Sequence, residues 1–254
     1  MTVRYAEICD IGLKASENQD AVFCASGDEK GLFVVADGMG GHKNGAFASG
    51  VLKEMFSTWW DQNRDSTVKL DGRSACPDRI RDVIKNANRR ILSSSPEGSI
   101  CGSTVVALWI EGDSYTVFSC GDSRCYMITK KLFGFDMRCL TSDDVWENNP
   151  NNVKGLTDAQ VRQHKNHGKL LRAVGTENEF VCSVRGDVLP EKSLFLLCSD
   201  GVYKYAGEEE LYREVKKAWG KETDLKTCVQ AVKNLVYRNG APDIMSVILV
   251  SVGQ

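Results

Sequence analysis

Apolar residues follow two periods along this chain. Short β-branched and aromatic runs bounded by Gly and polar residues predict strands over 3–9, 21–25, 32–36, 104–110, 115–120, 125–129, 135–140, 180–185, 194–198 and 246–252. Glu111-Gly112-Asp113 predicts a hairpin turn between two of them. Helical spacing appears at Ala46, Phe47, Val51, Leu52, Met55, Phe56 and Trp59. It recurs at Ile80, Val83, Ile84, Ala87 and Ile91, with Asp78 as the expected N-cap. Two more helices are predicted late in the chain. One carries Leu211, Val215 and Trp219, and the other Leu225, Val229, Val232 and Val236. The segment 141–171 is polar and contains Asn148-Asn149-Pro150-Asn151-Asn152, with one short helix expected near 158–163. A long irregular segment of this kind is usually functional or mobile.

The order is strands, two helices, strands, two helices, strand. Helices that cluster rather than alternate with strands argue against a parallel βαβ fold. The expected class is α+β, with two packed antiparallel sheets each covered by a helix pair. There is no linker and no internal repeat, so residues 1–254 are expected to form one domain.

Composition narrows the function. A net charge of −2 gives no field that would recruit nucleic acid or an anionic membrane. The ten cysteines include no C-x-x-C pair, and with three histidines zinc spacing is absent. Many cysteines, such as Cys120 and Cys198, sit inside apolar runs, which predicts reduced, buried thiols in a cytoplasmic protein. The first residues lack a signal-peptide core, and no apolar stretch is long enough to span a membrane.

The candidate chemistry is acidic. Asp37, Asp122 and Asp200 each stand where an apolar run ends, and Asp243 stands just before the last run. Carboxylates held rigidly at strand ends and converging would build an oxygen cage for Mg²⁺ or Mn²⁺. Each Asp-Gly taken singly is better read as a turn. Asp122 has a further alternative, pairing with Arg124, which itself reads as structural. His42 is a candidate general acid to a leaving alkoxide, against the alternative of an exposed turn histidine. His164 and His167 read as surface residues, and Trp59-Trp60 as helix packing. The glycines of 38–41 are followed by no G-K-[ST], which argues against a nucleotide loop.

The motifs in order are Glu17-Asn18-Gln19-Asp20, Val35-Ala36-Asp37-Gly38-Met39-Gly40-Gly41-His42, Cys101-Gly102-Ser103-Thr104, Gly121-Asp122-Ser123-Arg124, Thr141-Ser142-Asp143-Asp144, Leu171-Arg172-Ala173-Val174-Gly175-Thr176, Cys198-Ser199-Asp200-Gly201 and Pro242-Asp243. This series resembles the metal-dependent protein phosphatases of the protein phosphatase 2C type, in their bacterial form. The resemblance implies a four-layer αββα sandwich that hydrolyses phosphoserine and phosphothreonine in proteins, with metals in a cleft at one end of the sheets.

By the same resemblance, Asp37 would bridge two core Mn²⁺ or Mg²⁺ ions and Gly38 would offer its carbonyl to one. Asp200 and Asp243 would complete the other, and Asp20 would act directly or through water. Asp122 and Asp200 match a pair that binds a weaker third ion. The expected partner is a phosphoprotein, the target of a serine/threonine kinase or such a kinase itself. The segment 141–171 would act as a flap.

Two departures stand out. The family's phosphate-gripping Arg is Ala15 here, with Lys14 as the adjacent substitute, although it would point away if that segment is extended. The residue after Asp243 is Ile244 where the family has Asn. These departures motivate an alternative, a phosphoprotein-binding pseudophosphatase with little turnover. The retained Asp37, Asp200 and Asp243 argue against it.

Overall fold

In this computed structural model, which describes residues 2–70, 73–95, 100–131, 134–219 and 224–253, the chain opens with strands β1 (Thr2–Asp10), β2 (Asp20–Gly27) and β3 (Lys30–Met39). Helix α1 (His42–Asn63), the small hairpin β4 (Lys69–Leu70) and β5 (Arg73–Ser74), and helix α2 (Cys76–Ser94) follow. Next come β6 (Gly102–Ser103), β7 (Val105–Glu111), β8 (Ser114–Cys120), β9 (Arg124–Lys131) and β10 (Gly134–Cys139). The polar segment holds a 3-10 turn at Trp146–Asn148 and the short helices α3 (Pro150–Val153) and α4 (Asp158–Gln163). The chain ends with β11 (Ser183–Val188), β12 (Ser193–Cys198), α5 (Asp200–Ala206), α6 (Glu208–Trp219), α7 (Leu225–Arg238) and β13 (Met245–Gly253).

Two antiparallel sheets result. One has the order β1-β13-β12-β9-β10, the other β11-β8-β7-β3-β2 with β6 paired to β3. Strand alternation divides the apolar residues among three buried layers. Leu32, Val34 and Trp109 face α1 and α2, where Trp59 and Trp60 meet the Trp109 ring edge-on at 5.6 and 6.1 Å. Phe33, Val35 and Leu108 face the other sheet and meet Phe195, Leu197, Ile248 and Val250. Leu194, Leu196, Val247 and Leu249 face away again, under Leu211, Val229 and Val232. Three apolar layers therefore separate helices, sheet, sheet and helices, as the sequence predicted. Among the described residues no helix is long and apolar enough to cross a membrane. Among the described residues no disulfide joins any of the ten cysteines.

Some elements differ from expectation. Strand β3 runs past Asp37 because Gly38 and Met39 pair with Ser103 and Gly102. Helix α2 begins at Cys76 with Ala75 as its N-cap, which places Asp78 in the first turn instead. Pro77 accounts for this, since proline suits a helix start. The strand expected at 180–185 forms three residues later. Phe180 and Cys182 pack on the helix-side core, and pairing with β8 begins only at Ser183. Helix α5, and the turns at Trp146–Asn148 and Pro150–Val153, were not anticipated.

Candidate active site

Pairing within the two sheets brings the acidic residues to one end of the sandwich. Asp20, the first residue of β2, stands opposite Asp37 of β3. Asp200 follows β12 and Asp243 precedes β13, and these strands pair up to Cys198↔Val247. The Ser199 N–H donates to the Ser246 carbonyl at 3.1 Å and continues that pairing toward the site. Two hydroxyls then cross between the sheets. Ser199 Oγ and Ser246 Oγ both donate to Asp20 Oδ2, at 2.8 and 2.7 Å. Asp122 follows β8 on a turn where Gly121 has φ +99°. The Asp37 strand meets the start of α1 closely, since a Cβ on Gly38 would lie 2.1 Å from the Gly45 carbonyl oxygen.

Burial and proximity shape the charges. Loss of water holds the Asp37 carboxyl well above its ordinary value, and the charges of Asp20, Asp200 and Asp122 add to the effect. Burial raises Asp20 to about 6, with Asp200 and Asp243 pushing the same way and the Ser246 and Ser199 hydroxyls opposing. Asp122 is raised by burial and by Asp200, against the pull of Lys204. Lys204 Nζ lies 2.5 Å from Asp200 Oδ2 and 3.2 Å from Asp122 Oδ2. A cleft of about 420 Å³ is lined by Asp37, Met39, Thr104, Asp122, Asp200 and Lys204 together with Gly168, Lys169 and Leu170 of the polar segment.

The donor set of this cluster fits a hard divalent cation. Its side-chain donors, on Asp20, Asp37 and Asp200, are carboxylate oxygens that repel one another when ionised, the donor chemistry such an ion takes. Among the described residues no group of three or more His, Cys, Asp or Glu side chains is placed, as it stands, to hold a metal ion. Asp20, Asp122, Asp200 and Asp243 each have another partner. Asp20 accepts from two serines, Asp122 and Asp200 share Lys204, and exposed Asp243 accepts from the Ile244 N–H at 2.9 Å.

The remaining predicted residues fall in varied places. Lys14 sits on a turn, not an extended segment, and is exposed. The Leu13 N–H donates to the Ala241 carbonyl at 2.9 Å, which sets this turn beside the Asp243 bend. His42 opens α1, but its side chain lies outside the described residues. Asp122 pairs with Lys204 rather than with Arg124. Arg124 instead forks onto Asp143, reaches Glu208 at 2.7 Å and lies over the Tyr203 ring. His164 is half-buried and stacks on Trp146 at 4.0 Å, while His167 meets Glu147 at 3.1 Å. Asp144 ties both ends of 141–171 to the Asp122 turn. It accepts from the Gly121 N–H at 3.0 Å and from Arg172, and its carbonyl accepts from the Leu171 N–H at 2.7 Å.

Sequence reasoning missed Ser199, Ser246 and Lys204. The two serines carried one signal, a small polar residue in or at the end of an otherwise apolar run. Lys204 carried none, because only the seven-residue helix α5 brings it back over Asp200.

A model of the protein phosphatase 2C family matches residues 14–235. Among similar proteins is the serine/threonine protein phosphatase PstP of Mycobacterium tuberculosis, 24% identical over 258 residues that cover 99% of this chain. This chain spans only 45% of that relative's length. The serine/threonine phosphatase stp of Listeria monocytogenes is 26% identical over 204 residues, covering 79% of this chain and 77% of the relative. The crystal structure of the PstP catalytic domain with two manganese ions superposes with a TM-score of 0.76 at 22% identity, covering 99% of each chain.

Proposed function

The chain belongs to the protein phosphatase 2C family, and on that premise we propose that it hydrolyses phosphoserine and phosphothreonine in a phosphoprotein, using water activated at a dinuclear Mn²⁺ or Mg²⁺ centre. The observation that carries the reading is the convergence of Asp37, Asp122 and Asp200 at one cleft, with Asp20 paired opposite Asp37, where mutual repulsion and burial disfavour the charged carboxylates. In this reading Asp37 would be the shared ligand, Gly38 would contribute its carbonyl, and Asp200 and Asp243 would hold the second ion. Asp20 is held by Ser199 and Ser246 through one oxygen, which leaves the other for the centre. When bound, the ions neutralise phosphoryl oxygens and lower the pKa of a water toward about 7. Lys14, on the turn beside Asp243, and Lys169, on the flap side of the cleft, are the cations offered to the substrate phosphate. Residues 1–254 act as one unit, with 141–171 as the flap that selects substrate. The substrate is a phosphoprotein, modified by a serine/threonine kinase or a kinase itself.

The test is initial-rate hydrolysis of a phosphothreonine peptide with Mn²⁺, with Mg²⁺ and with excess EDTA, beside Asp37→Asn. Turnover that requires metal and is lost in the variant is expected. Turnover in EDTA, or full activity in Asp37→Asn, would refute the site. Ala15 favours a second reading, a phosphoprotein-binding domain with little turnover, because it leaves the family's Arg position without a cation. Calorimetric metal binding without hydrolysis would select it.

A further inference from the structure

We infer that Lys204 is a resident cation of this site, which commits Asp122 to an ion pair and restricts the centre to two divalent ions. The inference rests on the metal-centre reading above and concerns how many ions that centre takes. The Asp122 side chain is 5% exposed, and a buried carboxylate without a partner is strongly unfavourable. Lys204 supplies the partner. It lies one helical turn after Asp200 on α5, and its ammonium reaches Asp200 Oδ2 at 2.5 Å and Asp122 Oδ2 at 3.2 Å.

The placement is built rather than incidental. The neighbouring Tyr203 donates its hydroxyl to the Asp122 carbonyl at 3.1 Å, which docks α5 against the Asp122 turn. Arg124 covers the Tyr203 ring at 3.7 Å and is fixed by Asp143 and Glu208. The lysine head is therefore delivered to the gap between the two carboxylates by a supported helix.

An ion bridging Asp122 and Asp200 would need oxygens at about 2.0–2.2 Å and a shell of waters. The ammonium already occupies both Oδ2 positions, and a divalent ion beside it would meet like charge at close range. The lysine takes Asp200 through Oδ2 alone, so in the metal-centre reading Oδ1 would serve the inner ions while the outer position is blocked. The resemblance implied a weaker third ion at Asp122 and Asp200, and in this chain a side chain holds that place.

The test counts bound ions rather than turnover. Equilibrium dialysis with Mn²⁺, read by the electron paramagnetic resonance of free Mn²⁺, is carried out on the full chain up to millimolar metal. Wild type should bind two ions, and Asp122→Asn should also bind two. Lys204→Met should shift the count from two to three, and adding Asp122→Asn to it should return the count to two. Lys204→Arg, which keeps the charge, should stay at two. The lysine side chain is 41% exposed, and far-UV circular dichroism of each variant verifies folding. Three ions in wild type, or two in Lys204→Met, would overturn the inference while leaving the phosphatase reading intact. A wild-type chain that binds no ion would overturn the metal centre and this inference with it.

Discussion

Ser199 and Ser246 allow the electrostatics of the site to be tested quantitatively. Both hydroxyls donate to Asp20 Oδ2, a carboxylate in a residue only 9% exposed. Hydrogen bonds to a buried charge contribute about 1.5–3 kcal/mol each. They oppose the burial that holds Asp20 up at about 6, above the unfolded value of 3.8. In the metal-free protein this carboxyl therefore adds stability at low pH, and that contribution is lost as pH rises through about 6. Removing one such bond, worth about 2 kcal/mol, raises the folded value further, because it takes away a donor to the ionised form. Ser246→Ala then costs about 2 kcal/mol at pH 8, where Asp20 is ionised, and clearly less at pH 6, where it takes up a proton instead. Ser199→Ala should cost about 1–3 kcal/mol more, because Ser199 Oγ also accepts from the Ser246 N–H at 2.9 Å and its loss leaves that buried donor unpaired. The assay is urea unfolding in EDTA at pH 6 and pH 8, followed by circular dichroism. A cost for Ser246→Ala that does not change with pH would refute the reasoning, as would a milder effect from Ser199→Ala.

Two further substitutions probe the surroundings. A Cβ on Gly201 would lie 1.8 Å from the Ile244 carbonyl oxygen, so Gly201→Ala forces backbone apart beside Asp243. It should cost about 1–3 kcal/mol in urea unfolding and weaken Mn²⁺ binding, and unchanged values for both would show that the contact relaxes freely. Trp146→Ala removes the stack on His164 within 141–171, where rings lie 4.0 Å apart at 3°. The stack's roughly 0.5–1.5 kcal/mol should appear as about a two- to twelvefold rise in KM for a phosphoprotein, with para-nitrophenyl phosphate little affected. Equal changes for both substrates would exclude a flap role.

The strands most legible in the sequence are those with both faces covered. In β3, β7, β12 and β13 one set of alternate side chains packs under helices and the other between the sheets, so the run reads as continuously apolar. Strand β11 is exposed along its whole length, at the sheet edge, and its position is fixed only by pairing with β8. No local pattern could mark its start. The same contrast divides the site. Asp37 and Asp200 were legible because each interrupts an apolar run. Their partners act across the fold. Ser199 and Ser246 reach Asp20 over sequence separations of 179 and 226, and Lys204 reaches Asp122 over 82. Hydrogen bonds of that span leave no periodicity to read.

The serine clamp also makes the candidate site part of what holds the sandwich together. Asp20 belongs to the sheet of β2 and β3, whereas Ser199 directly follows β12 and Ser246 lies in β13 of the other sheet. Most of the interface between the sheets is apolar and indifferent to pH, but at this end it passes through a carboxylate whose charge is disfavoured by burial and by Asp200 and Asp243. An ion bound to Asp20 favours the ionised form, in which both serine bonds are strongest, so binding at the site and closure of the sheets at that end reinforce one another. Metal affinity and stability should therefore change together when either serine is removed. Substitution in the apolar layer farther from the site should lower stability with affinity unchanged.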